Sequence, residues 1–258
     1  MRRHLMVLIL ACPAFVASAA GATDIHVVSS GGFAAALKAL AAGYEQATGD
    51  KLVLGWGPSM GETHDAVPAR LKRGEDIDVV IMVGDALGKL AAQGKIIPGT
   101  RVDLARSLIG AVVRAGAPHP NISTPEALKQ ALLNANSIAY SDSASGVYIQ
   151  NELFKRLGIE AQVAPKAHMI PAAPVAQIVA EGKADLGFQQ IAELKPEHGV
   201  DLLGPIPAEL QKVTIFSAGV VAGARQAEAG KEFIAYLASP RSTQAITESG
   251  LEPIVQPQ

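Results

Sequence analysis

Short apolar runs alternate along this chain with longer segments whose apolar residues recur at helical spacing. The first run, Ile25-His26-Val27-Val28, passes through Ser29-Ser30-Gly31-Gly32 into an Ala-rich segment from about Phe33 to Gln46. Strand, small-residue loop and helix in that order open an α/β unit. The pattern repeats with a strand over Lys51 to Trp56, the loop Gly57-Pro58-Ser59-Met60-Gly61, and a helix running toward Arg73. Ile77 to Met82 is a near-continuous apolar run of the kind buried on both faces of a parallel sheet. Short helices surround Leu87 to Gln93, and Ile109 to Arg114 reads as another strand. Ser123-Thr124-Pro125-Glu126 carries a cap, a first-turn proline and an acid just inside, which together start a helix. Asn136 to Tyr140 is a strand, Ser141 to Gly146 a loop, and Val147 to Leu157 an amphipathic helix closed by Gly158. A helix over Val175 to Glu181 precedes a strand over Ala184 to Gln189; a strand from Thr214 to Val221 and a helix from Ala227 to Ala238 complete the series. Alternation throughout predicts an α/β architecture with mainly parallel sheets. We read two lobes, one built from the first and last segments and the other from the middle.

The amino terminus departs from this pattern. Met1-Arg2-Arg3-His4 is followed by an apolar run from Leu5 to Leu10 and by small residues ending Ala20-Gly21-Ala22. A basic start, an apolar centre and a small-residue end describe a secretory signal, with cleavage expected before Thr23. Leu10-Ala11-Cys12 has the outline of a lipoprotein processing site, but apolar residues continue past Cys12 to Val16 and favour a longer signal core. No later segment is apolar for the ~20 residues a membrane helix needs. The expected product is therefore periplasmic, without membrane insertion, and free of cysteine, which excludes disulfides, thiol catalysis and cysteine metal sites.

The chain has 22 basic and 24 acidic residues, and removing Arg2 and Arg3 with the signal leaves 20 against 24. A mildly acidic chain without a basic tract is a poor nucleic-acid binder. Any anion must then be held by local geometry. Aromatic residues make up 4% of the chain, which suits Ala-rich helices packed on a sheet more than a deep aromatic pocket.

Four loops share a design in which Ser, Gly or an amide stands where a strand ends: Ser29-Ser30-Gly31, Ser59-Met60-Gly61, Ser143-Ala144-Ser145-Gly146 and Gln189-Gln190. Helix starts offer unpaired N–H groups and partial positive charge, and hydroxyls add donors without net charge. In open α/β sheets the ligand crevice lies at the carboxyl ends of the strands, where all four fall. Each serine taken alone reads more readily as a helix cap than as a ligand contact; their recurrence points to a small-anion site.

The segments VVSSGGFAAALKALAAGYEQATG, GPSMG followed by RGEDIDVVIM, SDSASGVYIQNELFKRLGI and VAQIVAEGKADLGFQQ resemble the molybdate-binding family of periplasmic solute-binding proteins. The resemblance covers essentially the whole mature chain. It implies a type II solute-binding fold, two α/β lobes joined by two crossovers with the ligand between them. Residues 1–22 would be the signal peptide, 23–108 and 214–258 lobe I, and 109–213 lobe II. It also implies that Ser30 and Ser59, with Ser29 beside them, contact the anion from the first lobe, and that Ala144 and Ser145 do so from the second.

One stretch departs from the family pattern: where a strand of the form ADxGIVY is followed by Thr and Asp, this chain reads ADLGFQQIAEL. Gln190 replaces the family's ligand-holding Tyr, and Glu193 stands in place of Asp. With the altered GPSMG loop, these changes favour a larger organic anion such as a tricarboxylate over an inorganic oxyanion. A branch of the family is associated with aconitate isomerase, in which an allylic proton shift interconverts trans- and cis-aconitate. Such a shift needs a base, an acid and carboxylate clamps, with no cofactor or metal.

For that chemistry His64, read as lying at the start of the second helix, is the candidate base or a charged clamp, although an exposed helix position would give it neither role. Tyr148 is the candidate acid or a packing residue, and Arg114 a bidentate carboxylate clamp. Glu62 and Asp65 suit the first turn of a helix; Arg70, Lys72 and Arg73 read as a solvated face. His26, His119, His168 and His198 have no metal-ligand spacing, and no HExxH, GxSxG or Walker pattern is present. Two readings stay open: an aconitate isomerase, or the binding component of an ABC importer for molybdate, tungstate or another small anion, which would require a permease partner. A monomer is expected in either case.

Overall fold

The structure is a computed structural model that describes residues 22–171 and 173–255. The signal segment, apart from Ala22, lies outside the described residues, as does Cys12.

β1 (Asp24–Ser29) turns Ile25 and Val27 toward one core and Val28 toward another. α1 (Gly31–Thr48) buries Phe33, Ala36, Leu37, Leu40 and Tyr44 at helical spacing and stops at Gly49, whose positive φ of 84° ends the helix. β2 (Lys51–Trp56) pairs parallel to β1. A long loop then leads to α2 (Val67–Lys72), β3 (Val79–Val83), α3 (Gly84–Ala92) and β4 (Val102–Ser107). Leu108 alone separates β4 from β5 (Ile109–Arg114), which belongs to a different sheet.

The second sheet is built with α4 (Pro125–Asn134), β6 (Ile138–Ser141), α5 (Ala144–Tyr148), α6 (Phe154–Arg156), α7 (Glu160–Val163), β7 (Ala167–Ile170), α8 (Val175–Ala180), β8 (Leu186–Gln190), α9 (Ile191–Leu194) and β9 (Val200–Pro205). Thr124 caps α4 by accepting the Ala127 N–H at 3.2 Å, as its sequence predicts. The helix expected over Val147 to Leu157 starts earlier, at Ala144, and includes a π turn at Ile149–Leu153. The chain returns to the first sheet with β10 (Thr214–Val220), α10 (Ala227–Leu237), α11 (Thr243–Glu248) and β11 (Glu252–Pro253).

The sheet orders are β11-β4-β10-β3-β1-β2 and β7-β6-β8-β5-β9. Each sheet is covered on both faces. In the first, one face packs against α1 and α10 around Phe33, Leu37 and Phe233, and the other around Val80, Met82 and Leu87. In the second, Leu128, Leu153 and Phe188 lie on one side and Val112, Val175 and Val179 on the other. The result is the two-lobed type II architecture.

The sheets are more mixed than the alternation of elements predicts. β1, β2 and β3 run parallel, as do β6, β7 and β8, whereas β5 runs antiparallel to β8 and β9, and β10 antiparallel to β3 and β4. The crossings between lobes are the cause. β5 and β10 start where the chain enters a lobe, beside the ends of β8 and β3, so each must run away from the point at which its neighbour finishes.

Hydrogen bonds fasten that junction. Ser107 Oγ donates to Gln190 Oε1 at 2.6 Å, and Gln190 Nε2 donates to Thr214 Oγ1 at 3.0 Å, so a single amide ties both connecting segments together. Gln211 accepts the Ile109 N–H at 3.0 Å and donates to its carbonyl at 2.7 Å. Across the junction Lys195, just past α9, donates to the Glu248 carbonyl of α11 at 2.7 Å.

Candidate functional site

Parallel pairing brings the ends of β1, β2 and β3 to one edge, with Ser29 opposite both Trp56 and Ile81. Ser30 is the N-cap residue of the 18-residue α1, yet its side chain makes no capping bond. Its Oγ is 5% exposed at the residue level and, among the described residues, is a buried side-chain polar atom with no partner. Burying a hydroxyl unpaired costs ~1 to 3 kcal/mol, which a ligand oxygen placed there would offset. Ser29 is fully buried and donates to the Ser30 carbonyl at 3.1 Å. Ser59 accepts the Val83 N–H at 2.9 Å, pinning its loop to the end of β3. No helix follows Ser59 directly, because α2 begins at Val67; of the four loops, this one lacks the helix start expected of it.

The second edge is made by the ends of β6 and β8. Ser141, Ser143 and Ser145 form a hydroxyl cluster with Oγ separations of 2.7, 3.1 and 3.3 Å. Gly146 makes this turn possible, since a Cβ there would collide with the Ser141 carbonyl oxygen. Ala144 is the first residue of α5 and half-buried. Gln189 at the end of β8 accepts the Val175 N–H at 3.1 Å.

The two edges meet at Glu193. This residue lies on α9 beyond the second sheet, yet its Oε1 is 2.6 Å from the position a Cβ on Gly31 would take, at the start of α1. Its carboxyl also bonds the Gln189 side chain and feels the charge of Asp142 in the loop after β6. Burial pushes its pKa up to about 7; the Gln189 hydrogen bond opposes that rise, and Asp142 adds to it. The lobe junction therefore brings an unpaired hydroxyl and a long-helix start on one side, and a serine cluster on the other, to a shared carboxyl whose pKa burial raises.

Four residues proposed from the sequence sit elsewhere or have other partners. Tyr148 is buried in the second core, where its hydroxyl donates to the Leu210 carbonyl at 2.6 Å and accepts from Arg156 at 2.8 Å. This makes it a packing residue, the other of its two readings. Arg114 ends β5, five residues from the junction at Ile109 and so about 17 Å away along the strand. It lines a separate groove of about 760 Å³ with Ala117, His119, Gln130 and Asp185. Gln190 fastens the junction, as described above. His64 lies in the loop before α2, its side chain 81% exposed and 3.1 Å from Asp65.

Glu193 and Asp142 were absent from the expected site, whereas Gln189 belongs to one of its four strand-end loops. The signal for Glu193 was present, because it occupies the family's Asp position, but nothing local shows that α9 folds back against α1. Among the described residues no group of three or more His, Cys, Asp or Glu is placed to hold a metal ion, and no helix is long and apolar enough to cross a membrane.

Two α/β lobes joined at a shared junction, with helix starts and hydroxyls gathered at the strand ends beside it, are the architecture of a solute-binding protein. The chain belongs to the bacterial extracellular solute-binding protein family, whose model matches residues 25–252. It is 48% identical over 232 residues to an aconitate isomerase from Pseudomonas sp., covering 90% of this chain and 88% of that one. It is 25% identical to the molybdate-binding protein ModA of Azotobacter vinelandii over 244 residues, 91% of this chain and 92% of that protein. The solved structure of the periplasmic molybdate-binding protein from Azotobacter vinelandii superposes with a TM-score of 0.70 at 21% identity, covering 91% of this chain and all of that one.

Proposed function

We propose that this chain is an aconitate isomerase, interconverting trans- and cis-aconitate by an allylic proton shift in the periplasm after removal of residues 1–22. The observation that carries the reading is its 48% identity, across 90% of its length, to an aconitate isomerase. The lobes are 23–108 with 214–258, and 109–213, with substrate between them. The unpaired Ser30 hydroxyl and the start of α1 hold one carboxylate of the substrate, while Ser59, Ala144 and Ser145 line the rest of the site. Donors so placed also stabilise the negative charge that grows on oxygen when a proton leaves the carbon beside a carboxylate; one such donor is worth roughly 3 kcal/mol in other enzymes.

The test is purified mature protein incubated with trans-aconitate, with the isomers separated over time. Accumulation of cis-aconitate is expected, and the same equilibrium ratio should be reached from the cis side. The 25% identity to a molybdate-binding protein favours a second reading, an importer's binding component that works with a permease. Tight molybdate binding with no isomerisation would decide for that reading.

A further inference from the structure

The isomerisation proposed above requires a group that removes a proton from one carbon and delivers one to another, and neither Ser30 nor Ser59 can do so near neutral pH. We propose that Glu193 is the catalytic residue that carries the proton. This inference rests on the isomerase reading and gives it a named acid/base group.

The geometry is specific. Glu193 is carried by the second lobe, but its carboxyl abuts Gly31 at the start of α1, the residue after the unpaired Ser30 hydroxyl. A substrate carboxylate seated on Ser30 and the α1 start would place its neighbouring carbon beside Glu193. Gln189 holds the carboxyl by a side-chain hydrogen bond and so fixes its direction. The first turn of α1 carries no acidic residue, and Asp142 is the charged neighbour that Glu193 feels from the loop after β6. Gly31 fits this arrangement, because a side chain there would force the carboxyl to shift from its position. With burial raising its pKa to about 7, the carboxyl is populated in both protonation states at neutral pH, as a group that takes and returns a proton must be.

The step balances within the site. The Glu193 carboxylate takes a proton from the substrate methylene, and the C–H electron pair becomes the new double bond to the central carbon. The old alkene pair moves toward the far carbon and its carboxylate. That carbon then takes the proton from the Glu193 carboxylic acid, which returns to carboxylate. No net proton is gained or lost, and no co-reactant is required.

Glu193→Gln keeps the shape and the hydrogen-bonding partner while removing the proton carrier. In steady-state kinetics with trans-aconitate we expect kcat to fall at least 100-fold. Binding of the saturated analogue propane-1,2,3-tricarboxylate should stay within threefold by calorimetry. Glu193→Asp keeps a carboxylate on a shorter stem and should retain more turnover than the Gln variant. Wild-type turnover with Glu193→Gln within fivefold of it would overturn the proposal. So would loss of analogue binding in step with turnover, since Glu193 would then hold substrate without moving its proton. A wild-type protein that binds the analogue without isomerising aconitate would sink the isomerase reading itself, an outcome separate from these two.

Discussion

The two strand-end edges that meet at Glu193 are made from similar loops but carry different chemistry. The first, at the ends of β1, β2 and β3, offers a buried unpaired hydroxyl at Ser30 and the start of a long helix, with no acid in its first turn. The second, at the ends of β6 and β8, has its three serine hydroxyls bonded to one another and adds Gln189, Asp142 and Glu193. An unsatisfied donor is poised for an anion; a mutually satisfied cluster beside a carboxyl of raised pKa is suited to proton exchange. A binder of inert oxyanions needs donors on both walls, whereas a carboxyl on one wall repels an anion unless it is protonated.

The second edge should not tolerate added volume at its serine turn. Gly146→Ala should destabilise the protein by about 3 kcal/mol, because the new Cβ meets the Ser141 carbonyl in buried backbone that cannot move aside. Urea denaturation of both proteins reads this out. A loss under ~1 kcal/mol would show that the serine turn relaxes freely.

Charge separates the edges next. A folded-state pKa of about 7 on Glu193, against an ordinary 4.5, favours the protonated carboxyl in the native state. The stability this contributes is complete below about pH 4.5 and is lost as pH rises through 7. A shift of that size corresponds to ~3 kcal/mol, and partial solvent access reduces it to about 2. Glu193→Gln, which cannot ionise, should match wild type at pH 4 and exceed it by about 2 kcal/mol at pH 8 in the same assay. A gap that does not change with pH would place Glu193 in water.

On the first edge the sign of the stability effect reverses relative to function. Ser30→Ala removes a buried hydroxyl without a partner, so the unliganded protein should be unchanged or about 1 kcal/mol more stable. Affinity for propane-1,2,3-tricarboxylate should nevertheless fall about tenfold, from loss of a charge-assisted bond. Calorimetry with thermal melts checks both, and a destabilised variant that binds normally would assign Ser30 to the fold alone. The smallest effect belongs to His64→Ala, whose exposed side chain predicts a stability change within ~0.5 kcal/mol and turnover within about twofold. A large loss of turnover would mean that the 57–66 loop folds into the crevice when substrate arrives.

Most strands and helices were legible because they obey local rules: the helical spacing of Phe33, Leu37, Leu40 and Tyr44, the apolar run ending in β3, and the Thr124 cap. β4 and β9 were not, since Val-Asp-Leu-Ala-Arg-Ser and Val-Asp-Leu-Leu-Gly-Pro carry neither an apolar run nor clean alternation. Their place in a sheet is set by neighbours distant in the chain. The serine loops could be placed at strand ends because strand ends and small residues are local features.

What each polar side chain does with its hydrogen bonds was decided only by the fold. Gln190 reads as a ligand contact from its place after a strand, yet the two chain crossings bring Ser107 and Thr214 to its amide and make it a fastener. Tyr148 reads as a proton donor beside a glycine-rich turn, but the Leu210 carbonyl and Arg156 occupy its hydroxyl. Glu193 reads as the replacement for the family's Asp, with no role assigned; only the packing of α9 against α1 buries it and sets it against Gly31. Periodicity and turn chemistry act over a few residues and are written into the sequence, whereas desolvation and hydrogen-bond partnership depend on groups far apart in the chain and exist only once the lobes have closed on their shared junction.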